Sequence, residues 1–317
     1  MRSSHTLPLI VIIGPTAVGK TAFSLRVATD FEGEIISADS RQIYRGLDIG
    51  TDKVGPEHRV KIPHHLIDVV DPDDVLTLAD FQERAYAAIA DIQRRGRLPL
   101  LVGGTGQWVK AVVEGWGIPR VPPDPVLRAK LAAEADEKGA GALHAQLAAV
   151  DPPAAAKLDP RNVRRVIRAL EVYRKTGIPI SQHQRKNPPP YQILQIGLTR
   201  PREALYGRID RRIDEMMAAG LLAEVERLAT AGYGWQLPAM SGLGYRQIGQ
   251  YVRGEVSLEE AVALIKKETR RFLRQQYNWF RLDDPTIQWF DISEGTTTAY
   301  AAVERFLEGH VFDYRSS

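Results

Sequence analysis

The sequence predicts an α/β fold: a mostly parallel sheet covered by helices and interrupted by one inserted all-helical domain. Three observations carry this expectation. The first third alternates β-rich apolar runs with helical patterns, as βαβ units do. A strand-free Ala- and Arg-rich stretch then runs from the proline crossing at Pro119–Pro125 to Asn187 and three prolines. Finally, a strand pattern returns at Tyr191–Leu198.

Taken in order, the strand candidates are Leu9–Ile13, Glu34–Ala38, His65–Val70, Leu98–Val102 and Tyr191–Leu198. Helices are expected over Thr21–Thr29 and over Leu78–Arg94, the latter with Phe81, Ala85, Ala88, Ile89 and Ile92 at helical spacing. The final part reads as mainly helical, over Glu203–Ala219, Leu221–Ala231, Leu258–Arg281 and Thr298–Leu307. The domain boundaries that follow are 1–120 for the first part of the core, 121–188 for the helical insertion and 189–317 for the second part of the core.

Composition narrows the chemistry. The 317 residues include no cysteine, which removes disulfides, thiolate nucleophiles and Cys-based metal sites and favours a reducing, cytoplasmic setting. No apolar run approaches the roughly 20 residues of a membrane span, so no membrane association is expected. Net charge is only +3, but Asp159–Lys186 holds eight Lys or Arg against two acids, and Lys266–Arg281 holds six against one. These are the places to seek an anionic polymer.

Gly14-Pro15-Thr16-Ala17-Val18-Gly19-Lys20-Thr21 fits the phosphate-loop (P-loop) pattern and lies between a strand and a helix, as that pattern requires. Backbone amides there converge on phosphate oxygens at the positive end of a helix. Lys20 adds a cation, and Thr21 is placed to ligate a Mg2+ ion bridging the phosphates. The loop alone leaves open whether the phosphates belong to a nucleotide or to another diphosphate ester.

Ligands of open parallel sheets bind beyond the carboxyl ends of the strands. Asp39 follows one such end and Thr105 another, within Gly103-Gly104-Thr105-Gly106. If the strand after the loop lies beside the first strand, Asp39 falls near the phosphate loop, where a carboxylate can orient or deprotonate an acceptor. A helix N-cap and a magnesium ligand are the competing roles. Gly103 and Gly104 suggest close approach of a ligand to the backbone. His64 and His65 would point to opposite faces of an extended strand, which argues against a shared metal. No strand ends in the Asp-Glu pair common in water-activating motor ATPases, so group transfer is favoured over hydrolysis-driven work.

Asp159-Pro160 reads as a helix start, which would place Arg161, Arg164, Arg165 and Arg168 on one face and Val163, Val166, Ile167 and Leu170 on the other. A second helix carries Lys267, Arg270, Arg271 and Arg274, with Val262, Ile265, Phe272 and Trp279 as its core stripe. Between them, Ser241-Gly242-Leu243-Gly244-Tyr245-Arg246-Gln247 reads as a glycine-spaced loop suited to stacking on an unpaired nucleotide, or as a structural turn.

Together these stretches resemble the tRNA dimethylallyltransferase (isopentenyl-diphosphate:tRNA transferase) family. The matching runs are Gly14 to Thr21, Asp39-Ser40 with Gln42-Ile43-Tyr44, Asp48-Ile49-Gly50-Thr51 with Lys53, Leu101 to Thr105, Arg168-Ala169-Leu170-Glu171, Gly244 to Gln247, and Thr269-Arg270 through Trp279-Phe280-Arg281. They span nearly the whole chain. Where relatives often show Lys-Arg-Gln, this sequence has Arg274-Gln275-Gln276.

The resemblance implies a kinase-like P-loop core, with an insertion that grips the anticodon stem-loop. It implies transfer of a dimethylallyl group from dimethylallyl diphosphate to N6 of the adenine beside the anticodon, with Mg2+. By position, Asp39 would act as base and Thr105 would sit across the reaction channel. Asp39, Ser40, Arg41, Gln42, Thr105, Arg128, Arg164, Arg165, Val166, Ile167, Arg168 and Ser241, Gly242, Leu243, Gly244, Tyr245 and Arg246 would touch tRNA. A monomer is expected. The rival readings are a small-molecule kinase, a prenyltransferase of free adenine nucleotides, and an RNA-binding module without chemistry.

Overall fold

The computed structural model describes residues 7–308, which divide into two compact units. The larger unit takes the chain up to Val113 and resumes it at Pro190; the smaller is Glu114–Pro189. The chain enters the larger unit through β1 (Leu7–Ile13), α1 (Lys20–Asp30), β2 (Gly33–Ser37), α2 (Pro56–Lys61), β3 (His64–His65), α3 (Leu78–Arg94), β4 (Leu98–Gly103) and α4 (Gly106–Val113). The smaller unit holds α5 (Pro125–Lys138), α6 (Ala140–Val150), α7 (Pro152–Ala155), α8 (Val163–Thr176) and α9 (Ile180–His183). The larger unit is then completed by β5 (Tyr191–Thr199), α10 (Arg202–Ala218), α11 (Leu221–Thr230), α12 (Tyr245–Val252), α13 (Leu258–Trp279), β6 (Gln288–Asp291) and α14 (Thr297–Glu308).

The six strands form one parallel sheet in the order β3-β2-β4-β1-β5-β6. β1 lies at its centre with every residue after Leu7 buried, as an apolar strand covered on both faces must be. β4 lies between β1 and β2, so the strand after the loop is not beside the first strand. Ile13 is nonetheless level with Gly103, and Val102 with Ser37. The phosphate loop, the Thr105 turn and Asp39 therefore leave the sheet at one edge, with Thr105 in the middle.

Elsewhere the structure departs from the sequence expectations for identifiable reasons. Of the strand expected over His65–Val70 only His65 lies in β3, because Leu66 and Asp68 take left-handed φ values of 62° and 55°. Asp68 is turned to meet Lys53 and Arg59, and Val70 rejoins only as a bridge to Tyr44. β6, a four-residue strand pairing with β5, carried too short a pattern to be read. α3 begins and ends where its periodicity placed it, fixed by a Thr77/Asp80 capping box.

In the smaller unit, α8 begins at Val163 rather than at Asp159-Pro160. Asn162 is the cap, accepting from the Arg165 amide, while Asp159 is bound by the Arg161 amide and guanidinium. Arg161 thus precedes the helix and does not belong to its arginine face. Leu131, Leu143, Leu147, Val166 and Leu170 form the core of this unit. At its edge, Glu171 is fully buried and accepts from the Asp124 amide at 2.7 Å and from the guanidinium groups of Arg128 and Arg168. Burial alone would raise the Glu171 carboxyl, but the Arg128 and Arg168 bonds and the Asp124 amide hold it down to about 2.

Glu171→Ala should lower the unfolding free energy at pH 7 by about 2–3 kcal/mol, the scale of lost hydrogen bonds to a charged group. The full cost of an isolated buried ion is not expected, because Arg128 and Arg168 are 38% and 31% exposed and can hydrate. A carboxyl depressed from 4.5 contributes its stability above pH 4.5 and loses it as pH falls toward 2. Urea titrations of both proteins should therefore converge toward pH 2; a pH-independent gap would refute the pairing.

Candidate active site at the carboxyl ends of the strands

The loop after β1 is shaped by backbone that only certain residues tolerate. Gly14 has φ 145°, and a methyl there would run into the Leu198 carbonyl of β5. Gly19, at φ 118°, precedes α1 without offering a side-chain cap, so the first amides of α1 stay available. Lys20 donates to the carbonyls of Gly14 at 2.9 Å and Pro15 at 2.8 Å.

Three arginines, which sequence reasoning missed, brace this loop. Arg200 donates to the Val18 carbonyl at 3.1 Å, Arg208 to the Ala17 carbonyl at 2.7 Å, and Arg212 to the Thr16 hydroxyl at 3.3 Å. Arg212 also pairs with Asp52 at 2.9 Å. Two signals were present in the sequence: Arg200 directly follows the carboxyl end of β5, and Arg208 and Arg212 stand one turn apart on α10. The result is a loop ringed by cations. Burial, then the neighbouring Arg212, pulls the Lys20 ammonium from 10.5 down to about 8 against the opposing pull of Asp39 and Asp52.

A cavity of about 810 Å³ opens over this edge of the sheet, and Thr16, Lys20, Thr21, Asp39, Thr105 and Arg212 all line it. Asp39 Oδ1 accepts from the Arg41 amide at 2.8 Å, and no hydrogen bond among the described residues engages its second oxygen. The Thr105 hydroxyl accepts from the Ser40 amide at 3.2 Å, and the Thr105 amide donates to the Ala38 carbonyl. The two turns are therefore stitched together, and a carboxylate oxygen, a hydroxyl and a desolvated ammonium share one chamber.

The glycines flanking Thr105 answer to the protein itself rather than to a ligand. A methyl on Gly103 would strike the Ala38 carbonyl, one on Gly104 the Gln276 amide, and one on Gly106 the Trp279 side chain. Gln276 was likewise missed. It is 4% exposed, accepts from the Thr16 amide at 2.8 Å and donates to the Gly104 carbonyl at 3.0 Å.

The remaining expected contact residues separate into free and committed groups. Gln42 accepts from Ser37 and donates to the Thr51 carbonyl, while Arg41 reaches the Pro238 carbonyl and Ser241. Ser241, Gly242, Leu243, Gly244, Tyr245 and Arg246 all line the cavity. Tyr245 does not offer a stacking face: it is 1% exposed and opens α12, with its hydroxyl donating to Glu224 at 2.6 Å. That buried carboxylate also accepts from the amides of Asp48, Ile49 and Gly50, holding the loop before α2. The exposed aromatic is Phe272, expected in the core but 38% accessible on the cavity wall; Leu273 takes the core position. On α13, Arg270 is paired with Asp210 and Arg274 bonds Tyr206, whereas Arg271 lines the cavity with no ion pair among the described residues. In the helical unit Arg164 and Arg165 are exposed, Arg128 and Arg168 are bound to Glu171, and Val166 and Ile167 are core residues whose side chains are withdrawn from any surface partner. His65 pairs with Glu34, and His64 bonds the Ile62 carbonyl. No helix among the described residues is long and apolar enough to cross a membrane.

The chain as a whole is similar to known proteins. A tRNA dimethylallyltransferase of Roseiflexus sp. (strain RS-1) is 58% identical over 275 residues, covering 87% of this chain and 90% of that protein. One from Herpetosiphon aurantiacus is 55% identical, covering 86% and 87%. Among solved structures, the full-length tRNA isopentenylpyrophosphate transferase of Bacillus halodurans superposes with a TM-score of 0.71 at 41% identity, covering 95% of this chain and 96% of its own. A eukaryotic dimethylallyltransferase acting on tRNA gives 0.83 at 26% identity, covering 98% and 82%. Residues 42–283 match the IPP transferase description, three quarters of the sequence, and the chain belongs to that family.

Proposed function

We propose that this protein is a tRNA dimethylallyltransferase that moves a dimethylallyl group from dimethylallyl diphosphate to N6 of the adenine beside the anticodon. The observation that carries the reading is the single cavity shared by the phosphate loop with Lys20, the Thr105 hydroxyl and the partly free Asp39 carboxylate. The names of its relatives support the same assignment.

In this reading the allylic C–O bond breaks as the N6–C bond forms, and diphosphate leaves. Negative charge grows on the leaving group, where Lys20, Arg212 and the loop amides not already bonded within the protein, those of Ala17, Gly19, Lys20 and Thr21, stabilise it most as it develops. The adenine amine loses one proton, which Asp39 accepts. Thr105 orients the acceptor from the turn between donor and base. The purine must leave its stack to enter, at a cost of roughly a few kcal/mol.

The Thr21 hydroxyl, together with diphosphate oxygens, would hold magnesium. The chemistry of the donor set fits, because Mg2+ keeps several waters and needs only one or two protein ligands beside a phosphate. For the anticodon stem-loop, Arg164 and Arg165 on α8 would supply exposed guanidinium groups, and Arg271 on the cavity wall another, none of them ion-paired among the described residues. The protein would act as a monomer in the cytoplasm.

Replacing Asp39 by Ala should leave affinity for dimethylallyl diphosphate within about twofold while transfer to unmodified tRNA falls at least about 100-fold. Nucleoside mass analysis of the tRNA gives the readout, and an undiminished rate would sink the assigned base.

A second expectation concerns pH. Anion binding needs the Lys20 ammonium, which is lost as pH rises through about 8, so pyrophosphate affinity should drop between pH 7 and 9. Lys20→Arg, whose charge persists, should show a flatter profile in calorimetry; parallel profiles would count against Lys20. Stability of the ligand-free protein should move the other way. A lysine whose folded pKa lies below 10.5 disfavours the protonated fold, so the fold gains stability as pH rises from about 8 toward 10.5.

A further inference from the structure

Gln276 lies in the last turns of α13, and nothing in the transfer chemistry above uses it. Its carboxamide is buried and bonded at both its oxygen and its nitrogen. Oε1 accepts from the Thr16 amide inside the loop, and Nε2 donates to the carbonyl of Gly104, the residue before Thr105. The two partners fix which end of the amide is oxygen and which is nitrogen.

We propose that Gln276 is a positioning residue that sets the spacing between the donor-binding loop and the Thr105 turn, and hence between the leaving group and the acceptor. This rests on reading the cavity as a prenyl-transfer site.

The side-chain chemistry suits the task. A backbone N–H and a backbone C=O must be joined across a gap, and a carboxamide offers an acceptor and a donor at one end without charge. A carboxylate would satisfy Thr16 but would face the Gly104 oxygen and repel an incoming diphosphate. A lysine would satisfy Gly104 and leave the Thr16 amide buried without a partner. Gly104 itself lacks the β-carbon that would overlap Nε2, so the turn and α13 are fitted to one another at this point. Further pins keep α13 in place: Trp279 fills the space over Gly106, and the Tyr277 and Thr199 hydroxyls bond at 2.8 Å. The carboxamide is thereby held from a rigid helix, and small misplacement of reacting groups is costly in rate.

Two variants attack the link from opposite ends. Gln276→Met keeps the length and removes both hydrogen bonds. Gly104→Ala leaves Gln276 in the sequence but displaces its amide; the added methyl would stay 3.6 Å from the Gly14 oxygen and from Lys20 Nζ, an ordinary contact. For both, binding of inorganic pyrophosphate with magnesium is measured by calorimetry, and kcat and KM for transfer from dimethylallyl diphosphate to unmodified tRNA are measured below the melting temperature of each variant. We expect kcat to fall about 10- to 100-fold, pyrophosphate affinity to weaken severalfold, and KM for tRNA to stay within twofold. A purely structural role predicts a lower melting temperature with kcat per folded molecule and pyrophosphate affinity unchanged, and that result overturns the proposal. Should Gln276→Met fail to fold, Gly104→Ala decides. Wild-type protein that binds pyrophosphate but transfers nothing would remove the transferase reading and leave the pyrophosphate comparison to judge Gln276. Wild-type protein that binds no pyrophosphate would remove both.

Discussion

Crowding of like charge around one short loop is the constraint from which the rest of the site follows. Lys20, Arg200, Arg208 and Arg212 converge on Gly14 to Thr21, and most of their bonds go to neutral carbonyl oxygens. Among the described residues only Arg212 of the four has a carboxylate in contact, that of Asp52. Burial followed by neighbouring positive charge lowers the pKa of both Lys20 and Arg200. The ligand-free loop therefore carries an electrostatic penalty that an anion would relieve, and in the proposed reaction a diphosphate would relieve it further as its negative charge grows during departure.

Such a loop would capture any carboxylate placed against it, and the sheet order prevents that. Had β2 lain beside β1, Asp39 would have emerged next to Lys20 and the two would tend to form an ion pair. With β4 between them, the Gly104-Thr105 turn is interposed, and no salt bridge joins Asp39 to Lys20 among the described residues. The opposite charges feel one another across the chamber without neutralising one another. In the proposed reaction this leaves the carboxylate and the cationic loop each available to its own reactant. The Thr105 hydroxyl bond to the Ser40 amide and the Arg41 amide bond to Asp39 keep the carboxylate turn from collapsing inward.

What the sequence made legible is what local chemistry determines. The phosphate loop follows from glycine spacing between a strand and a helix, and α3 from its capping box and apolar period. Asp39 and Thr105 were found because residues after parallel strands face the ligand edge, and the same rule applied to β5 would have found Arg200. Long-range pairings were not legible. Tyr245 looks like an exposed aromatic in a glycine-rich loop until Glu224, 21 residues earlier, takes its hydroxyl. Gln276 looks like one of several polar residues on a basic helix until Thr16, 260 positions away, is seen to donate to it. The truncated β3 has the same origin, since the left-handed turn at Asp68 serves Lys53, a lysine only 2% exposed.

The basic segments show why charge runs overstate their own reach. From Asp159 to Lys186 the sequence counts eight cations, yet Arg168 is bound to a fully buried glutamate, Arg161 to its neighbour Asp159, Lys175 to Asp124 and Lys186 to Glu114. On α13, Lys266 and Arg270 are paired with acids of α10. A cation already paired gains less from a phosphate, because it must first give up its carboxylate or carry that negative charge along. Counterion release on a nucleic acid thus depends on the cations that no carboxylate holds among the described residues, such as Arg164 and Arg165 on one helix and Lys267 and Arg271 on the other. The paired arginines do different work: they fix the helices from which the free ones project, so that charge available for a polyanion is presented on rigid supports.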